Sequence, residues 1–405
     1  MPSQRYESFA ELIESCRAMP PMRTAVVFPC SAISLSGAAE AAAAGIIKPT
    51  LIGPETQIRA LAKSLGINLT GMEVLDAPHG QTAAERAVEL VATGGADALM
   101  KGSLETADLL SQALHKDSGL HTARRISHVF VTHVPAYSKL LLLSDAVVNI
   151  SPTLEEKVDI VQNAVDLAHV LGISRPKVAI LSAIEMVRPS IPSTVDAAAL
   201  CKMADRSQIT GAILDGPLAF DDAVNLEAAT VKHIESPVAG DPDILIVPDL
   251  DSGNMLAKEM SLFAGAEEAG IVLGAKVPII LTSRADGVRA RILSCAVSAF
   301  YARAQRETSD GNRSRPTKGD HALYKPGDTV PESGIYDVFH GRLDGHEHAG
   351  PYQVTAIRGT LFPLCRVCSD HVRFRLFQAA THLNADHHFL GSPATEVALA
   401  SGGRQ

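Results

Sequence analysis

A hydroxyl, a guanidinium and a carboxylate occur within four consecutive positions at Ser283, Arg284 and Asp286. The apolar run Pro278–Leu281 before them predicts a strand, and apolar residues at helical spacing follow from Val288 to Phe300. A turn between a strand and a helix lies at the carboxyl edge of a parallel sheet, where free N–H groups and the positive helix end attract anions. The turn therefore suits a site that binds phosphate and moves a proton, although an ordinary loop with an N-cap aspartate has the same residues.

The residues Lys101, Gly102 and Ser103 follow a second short strand, Asp97–Met100. A lysine, a flexible glycine and a hydroxyl at such a turn can bind a phosphate through charge and backbone N–H groups. The spacing is not that of a P-loop, because the glycine pattern before the lysine is missing. The turn is predicted to bind substrate, and a surface lysine beside an ordinary turn is an equally good interpretation.

Three further groups of polar residues lie near predicted strands. The adjacent arginines Arg124 and Arg125 precede a strand and suit a phosphate-bearing substrate, although such pairs usually form a solvated face. Asp215 follows the strand Ala212–Leu214 and either caps a helix or binds a ligand. Asn254 begins a predicted helix, where capping is again the alternative. Because an active site is assembled from several strand ends, we expect these residues to contribute to one substrate site.

Short apolar segments alternate with helical patterns through most of the chain before Ala304. This alternation predicts βαβ units and an α/β fold with a mainly parallel sheet. Roughly ten strands exceed one comfortable domain, so we expect two separate sheets. Ala146–Asn149 is among the predicted strands, and Leu154–Leu171 and Asn254–Gly265 are among the predicted helices.

Composition limits the class of protein. The chain has 405 residues, of which 46% are hydrophobic and 20% charged, as is typical of a globular enzyme with two or three domains. A net charge of −9 argues against nucleic-acid binding, which favours a basic face. No apolar run reaches the roughly 18 residues of a membrane-spanning helix, and the N-terminal segment lacks the apolar centre of a secretory signal. The scattered cysteines before Ala304 are typical of a reduced, cytoplasmic protein.

The composition changes after Ala304. The segment 305–322 is polar and rich in Gly, Pro and Arg, which predicts a linker. Beyond it, β-forming residues cluster in short runs separated by Gly- and Pro-containing turns, so we expect a small all-β module at 323–380. Residues 381–405 are predicted to form a flexible tail.

Cys365 and Cys368 form a C-x-x-C pair between two predicted strands of this module. In a reduced protein, such a pair on a β-turn more often belongs to a zinc site than to a redox pair. Zinc takes four ligands, and His340 is the best third candidate, with His348 or His346 as the fourth. Two buried core cysteines are the alternative, but a unit of about fifty residues has too little core to be stable without a cross-link or metal. We therefore predict a structural zinc, and the segment resembles the small zinc-ribbon-like modules of diverse bacterial proteins.

Long motifs in residues 1–304 resemble the phosphate acetyltransferase and phosphate butyryltransferase family. They occur in order as MKGSLET, ARRISHVFV, LEEKVDIVQNAVDLAHVLGI, GAILDGPLAFD, VPDLDSGNMLAK and AEEAGIVLGAKVPIILTSRAD. The similarity looks closest to the phosphate acetyltransferase part of bifunctional enoyl-CoA hydratase/phosphate acetyltransferase proteins, without the hydratase half. This resemblance implies an enzyme that moves an acetyl or short-chain acyl group between phosphate and coenzyme A.

The resemblance also implies an architecture like that of the isocitrate and isopropylmalate dehydrogenases, with two α/β domains and a cleft between them. By analogy, residues 1–138 together with 273–304 form domain I, and residues 139–272 form domain II. Family members are typically homodimers. They use no organic cofactor beyond coenzyme A, and their other substrate is an acyl phosphate or inorganic phosphate.

The serine–arginine pair of the family corresponds to Ser283 and Arg284, but the sequence departs from the family pattern further along. The acetyltransferase branch has a catalytic aspartate one or two helical turns later, and Ala290 and its neighbours provide no carboxylate there. Asp286 is therefore our candidate base, in the pattern of the butyryltransferase branch.

Acyl transfer of this kind makes three demands on a site. The coenzyme A thiol, with a pKa of about 8.5, must lose a proton, an oxyanion needs hydrogen-bond donors, and departing phosphate needs a cation. Ser283 and the amides of the Lys101 turn suit the oxyanion, and Arg284 suits the phosphate because its planar fork binds bidentately. One alternative is a non-catalytic sensor of acyl phosphate or coenzyme A, which Ala290 favours. Another is a metal-dependent decarboxylating dehydrogenase, which would need an aspartate cluster and a nucleotide loop that we do not find.

Overall fold

The computed structural model describes residues 5–283, 286–314, 323–331, 333–339, 353–364 and 371–379. The chain divides into two compact units, Met1–Ser309 and Asp310–Gln405. The strands of the first unit are β1 (Met22–Val27), β2 (Ile47–Gly53), β3 (Glu73–Asp76), β4 (Ala98–Lys101), β5 (Ser127–His133), β6 (Leu141–Ser144), β7 (Lys177–Leu181), β8 (Ile213–Leu218), β9 (Ile244–Ile246), β10 (Glu267–Leu273) and β11 (Ile279–Ile280). The helices are α1 (Phe9–Arg17), α2 (Ala32–Ala43), α3 (Glu55–Leu65), α4 (Gly80–Ala92), α5 (Thr106–Ala113), α6 (Leu154–Val170), α7 (Pro192–Asp205), α8 (Phe220–Val224), α9 (Leu226–Val231), α10 (Leu250–Leu262) and α11 (Val288–Ser314).

The first unit contains one eleven-stranded sheet in the order β3-β2-β1-β4-β11-β10-β5-β6-β9-β7-β8. The α/β fold with a mostly parallel sheet is therefore confirmed, but the prediction of two separate sheets was wrong. Two parallel groups, β3-β2-β1-β4-β11 and β6-β9-β7-β8, are joined by β10 and β5, each of which pairs antiparallel with both of its neighbours. These central strands carry the hydrogen bonding from one group to the other, so the sheet is continuous.

The antiparallel connection also reverses the direction of the second parallel group. The carboxyl ends of β4 and β11 lie at one edge of the sheet because these strands are parallel neighbours. The carboxyl ends of β8 and β9 lie at the opposite edge, since three successive antiparallel pairings separate the two groups. The turns after β4 and β11 therefore lie at one edge of the sheet, and the ends of β8 and β9 lie at the other.

Local hydrogen bonds explain why one strand and the start of one helix differ from their predicted positions. The segment predicted as a strand at Ala146–Asn149 is a turn, and the strand β6 lies just before it. The Asp145 carboxylate accepts the backbone N–H groups of Val147 and Val148 at 2.9 and 3.1 Å, so these donors are not available for a ladder. Residue Asp249 caps α10 by accepting the N–H of Ser252 at 2.9 Å, which starts this helix four residues before the predicted Asn254.

Helices cover both faces of the sheet and bury three apolar clusters. The long helix α11 contributes Leu293, Cys295 and Val297 to the largest of them. It continues to Ser314, ten residues into the segment 305–322 that was predicted as a linker. None of the helices in the described part of the chain has both the length and the apolar character that crossing a bilayer requires.

The described residues of the second unit form a three-stranded antiparallel sheet. Its strands are β12 (Gly334–Phe339), β13 (Gln353–Ala356) and β14 (Arg373–Ala379), with β12 in the centre. The ring of Phe362 stacks on that of Phe374 at 4.7 Å and contacts Tyr336 at 4.9 Å. These aromatic contacts give the sheet a small apolar core of its own.

Candidate active site

A cleft of about 770 Å³ lies along the central strands of the first unit. His128 and Phe130 of β5 and Glu268 of β10 line it, together with the turn after β4 and the turn between β11 and α11. One face of α10 completes the lining, because residues three, four and seven apart lie on the same side of a helix. The lining residues of α10 are Asn254, Ala257, Lys258, Ser261 and Leu262.

Arg291 of α11 connects the two turns at this cleft. Its guanidinium donates hydrogen bonds to the Lys101 carbonyl at 3.3 Å through Nη1 and to the Ser283 carbonyl at 3.2 Å through Nη2. The side chain is only 1% exposed. A buried, charged donor bonded to both carbonyls fixes the position of one turn relative to the other.

The turn between β11 and α11 is closed by Asp286. Its Oδ2 accepts the Ser283 N–H at 2.6 Å, and its own N–H donates to the Ser283 carbonyl at 3.3 Å. Burial raises the pKa of Asp286, while the Ser283 N–H and the charges of Arg291 and Lys101 oppose this shift. The carboxylate is therefore part of the structure of the turn as well as part of the cleft lining.

Glu268 is a second carboxylate of the cleft. Burial and, to a smaller extent, the neighbouring charge of Asp286 raise the pKa of Glu268 to about 7. Its Oε1 is buried and has no hydrogen-bond partner among the described residues. An acid whose pKa lies near neutrality is suited to both accepting and donating a proton.

His128 also lines the cleft, although its side chain is fully buried. Burial lowers the pKa of His128 to about 4, and the nearby Asp145 carboxylate only partly opposes this shift. The ring packs edge-on against Phe130, with the ring centroids 4.3 Å apart. The imidazole is therefore neutral near pH 7 and adds no positive charge to the cleft.

Comparison with known proteins identifies the family. Residues 80–299 match the family described as phosphate acetyl/butaryl transferase. A phosphate acetyltransferase of Rhizobium meliloti is 53% identical over 298 residues, which cover 74% of this chain and 94% of that relative. The chain belongs to the phosphate acetyl/butyryl transferase family.

Other relatives extend this similarity. A phosphate butyryltransferase of Clostridium acetobutylicum is 39% identical over 296 residues, covering 73% of this chain and 98% of the relative. The crystal structure of a branched-chain phosphotransacylase from Enterococcus faecalis V583 matches with a TM-score of 0.62 at 32% identity, covering 69% of this chain and 99% of that one. Both of these proteins match this chain over nearly their whole length.

The turn at Lys101 differs from the phosphate cradle that its sequence predicts. Lys101 lines the cleft, and its buried ammonium donates to the Leu104 carbonyl at 3.2 Å. The N–H groups of Gly102 and Ser103, however, donate to the Val27 and Phe28 carbonyls at 2.8 and 2.9 Å. These amides bind the end of β1, so they are not available to an oxyanion or a phosphate.

The two adjacent arginines lie outside the lining of the cleft. Arg124 pairs with Asp166 of α6. Arg125 pairs with Glu156 of the same helix at 2.7 Å and donates from Nε to Asn149 at 2.6 Å. Both side chains are bonded to neighbouring elements of the fold, which accounts for them without a substrate.

The other predicted substrate residues have different positions. Asp215 lies within β8, outside the cleft lining, and its carboxylate accepts the N–H of Gly216 at 2.9 Å. Asn254 does line the cleft, and its Nδ2 donates to the Ala146 carbonyl at 3.1 Å. The structure therefore brings Lys101, Asn254, Ser283 and Asp286 together, while Asp215 lies elsewhere.

Arg284 lies outside the described residues, and so do the predicted zinc ligands, which are Cys365, Cys368, His340 and His348, with His346 as the alternative.

Within the described part of the chain, Glu185, Asp221 and Asp222 form the one cluster with metal-ligand spacing. The ammonium of Lys232 lies among these carboxylates, 2.8 to 3.1 Å from each. Charge balance by the lysine makes this cluster an ion-pair network of the fold.

Sequence reasoning missed Arg291 and Glu268. The sequence did contain a sign of the role of Arg291. This residue directly precedes the apolar pair Ile292 and Leu293 in a predicted helix that is rich in apolar residues. A charged side chain that is buried in such a helix requires hydrogen-bond partners. Glu268 was overlooked because β10 was not recognised as a strand, and only a strand assignment shows which face the carboxylate occupies.

Proposed function

We propose that this protein catalyses the reversible transfer of an acetyl or short-chain acyl group between phosphate and coenzyme A. The observation that supports this most strongly is the connection of the Lys101 and Ser283 turns by Arg291 beside a cleft of about 770 Å³. Lys101, Lys258 and Arg289 supply positive charge to that cleft for anionic substrates. Phe130, Leu281 and Leu293 supply apolar surface for an acyl chain.

The hydroxyls of the turn after β11 are the proposed donors to the tetrahedral oxyanion. Ser283 is exposed at the cleft, and Thr282 next to it has a buried Oγ1 without a hydrogen-bond partner among the described residues. Arg284 takes the phosphate, as the sequence predicts from its planar fork. The oxyanion donors are hydroxyls in this proposal because the amides of Gly102 and Ser103 are bonded to β1.

The proposal includes the finer architecture that the resemblance implies. The two oppositely directed parallel groups of the sheet support two α/β domains, 1–138 with 273–304 and 139–272, arranged as in the isocitrate and isopropylmalate dehydrogenases. We place the active cleft between these domains and expect the enzyme to be a cytoplasmic homodimer. It needs no organic cofactor beyond its substrate coenzyme A, and the module at 323–380 carries a structural zinc.

A direct assay tests the proposed function. Purified full-length protein is incubated with coenzyme A and acetyl, propionyl, butyryl or valeryl phosphate, and acyl-CoA and inorganic phosphate are measured together. We expect the two products to form in equal amounts and the reaction to reverse when phosphate is added to acyl-CoA. Binding of these substrates without turnover would instead identify a sensor and would contradict the proposal.

A further inference from the structure

Strand pairing places Glu268 on the cleft face of the sheet. Glu268 lies opposite Thr132, and Gly270 lies opposite Phe130 in the antiparallel register of β10 and β5. Alternate residues of a strand share a face, so Glu268 lies on the same face as Phe130 and His128, both of which line the cleft. The carboxyl group is therefore presented by a rigid central strand and not by a loop.

The other carboxylates of the cleft either bond to neighbouring protein groups or are exposed to solvent. Asp286 accepts the Ser283 N–H at 2.6 Å, and Glu267 forms an ion pair with Arg289 at 2.9 Å. Glu105 is exposed to solvent. Glu268 differs because its Oε1 is buried and lacks a hydrogen-bond partner among the described residues.

The titratable and charged groups that line the cleft form the electrostatic environment of Glu268. Burial and the neighbouring Asp286 both raise the pKa of Glu268, to about 7, while the imidazole of His128 is neutral near pH 7 because its pKa is about 4. The titratable and charged lining groups are Lys101 and Glu105 after β4, His128 of β5, Lys258 of α10, Glu267 of β10, Asp286 after β11 and Arg289 of α11.

We infer that Glu268 is the proton acceptor for the coenzyme A thiol, an inference that rests on the proposed acyl transfer. The thiol proton passes to the Glu268 carboxylate, and the thiolate sulfur attacks the carbonyl carbon of the acyl phosphate. A C–S bond forms, the bond from that carbon to the phosphate oxygen breaks, and phosphate leaves with the electron pair. In the reverse direction, protonated Glu268 returns its proton to the departing thiolate.

This assignment separates the roles of the two neighbouring carboxylates. Asp286 closes the turn that positions Ser283, and Glu268 exchanges the proton. The negative charge of Asp286 favours the protonated form of Glu268, so Asp286 influences the proton exchange without taking part in it.

The test compares Glu268→Gln, Glu268→Asp and Asp286→Asn in the full-length enzyme, with Glu259→Gln as the control. Glu259 is exposed on α10 outside the cleft lining, so replacing its carboxylate should leave the rates, the pH profile and the melting temperature unchanged. Initial rates of acyl-CoA formation are measured from pH 5.5 to 9, and melting temperatures confirm folding. We expect Glu268→Gln to lower kcat by about 100-fold or more and to remove the acidic limb of the kcat/KM profile near pH 7.

Two further results complete the test. Glu268→Asp should recover part of kcat and retain an acidic limb, because it keeps a carboxylate at a longer distance from the thiol. The inference is overturned if Glu268→Gln keeps the wild-type pH profile. It is also overturned if the acidic limb disappears in Asp286→Asn but not in Glu268→Gln. Absence of acyl transfer in the wild-type enzyme and in Glu259→Gln would instead reject the proposed function itself, so the two failures are distinguishable.

Discussion

Arg291 packs directly against Gly37 of α2. A Cβ atom placed on Gly37 would lie 2.6 Å from Cδ of Arg291 and 3.1 Å from its Cβ, closer than ordinary van der Waals contact. Arg291 is 1% exposed, so it has little space in which to move aside. The absence of a side chain at Gly37 is therefore what allows Arg291 to reach the Lys101 and Ser283 carbonyls.

Gly37→Ala should destabilise the protein by about 1–3 kcal/mol and lower acyl-transfer activity, because overpacking displaces Arg291 from both turns. Gly80→Ala is the matched control, since a Cβ on this helical glycine would meet its nearest neighbour, Leu104, at an ordinary 3.5 Å. Alanine is the better helix former, so the control should be neutral or slightly stabilising. Urea unfolding and steady-state kinetics measure both effects, and equal behaviour of the two variants would contradict the packing argument.

Ser103→Ala should lower stability by about 1 kcal/mol and leave the KM for phosphate unchanged. The Ser103 hydroxyl donates to the Phe28 carbonyl at 2.8 Å and accepts the Cys30 N–H at 3.0 Å, so its hydrogen bonds stabilise the turn. Ser111→Ala is the control, because the exposed Ser111 hydroxyl donates to the Asp108 carbonyl of its own helix at 3.0 Å. A rise in KM for phosphate without a loss of stability would restore the substrate-binding role that the sequence suggests.

Arg284→Lys should raise the KM for phosphate by about tenfold, because lysine keeps the charge but cannot form the bidentate pair. The KM for coenzyme A should change less. Arg303→Lys is the control on α11, since Arg303 forms an exposed ion pair with Glu307 at 2.7 Å. Kinetics identical to the wild type with both substrates would remove Arg284 from the site.

Glu268→Gln should stabilise the protein at alkaline pH. The pKa of Glu268 is raised from 4.5 to about 7 in the folded state, so the folded state binds its proton more tightly than the unfolded state does. Protonation of Glu268 therefore makes its full contribution to the stability of the folded state below about pH 4.5, and this contribution is lost as the pH rises through 7. Melting temperatures from pH 4.5 to 9 should therefore show a gap in favour of Glu268→Gln that grows until about pH 7 and then stays constant. A gap that does not depend on pH would show that the pKa of Glu268 is unshifted.

Cys365→Ser should remove zinc from the full-length protein and leave acyl transfer nearly unchanged. We expect about one zinc per chain in the wild type and in the control Cys201→Ser, whose cysteine lies in α7. Acidification should release the metal before the α/β unit unfolds, because thiolate and imidazole ligands bind metal only when deprotonated. Wild-type protein that is folded but free of zinc would show that Cys365 and Cys368 are core residues.

Sequence patterns alone were sufficient for the features that depend on neighbouring residues. Alternating strands and helices predicted the α/β fold class, and the helix predicted at Leu154–Leu171 corresponds to α6 at Leu154–Val170. The motifs at Lys101 and Ser283 are local strand-to-helix turns, and strands β4 and β11 place both of them at one edge of the sheet. The family followed from ordered motifs that are many residues long.

Only the tertiary structure decided which of these residues share a site. Ser103 and Arg125 have the right side chains for phosphate, but the hydrogen-bond donors of these residues bind Phe28 and Glu156, partners distant in sequence. Glu268 became a candidate only through its register with β5, and its pKa depends on burial and on Asp286, eighteen positions later. Hydrogen-bond donors and titrating groups respond to whatever the fold places around them, and a sequence does not show those neighbours.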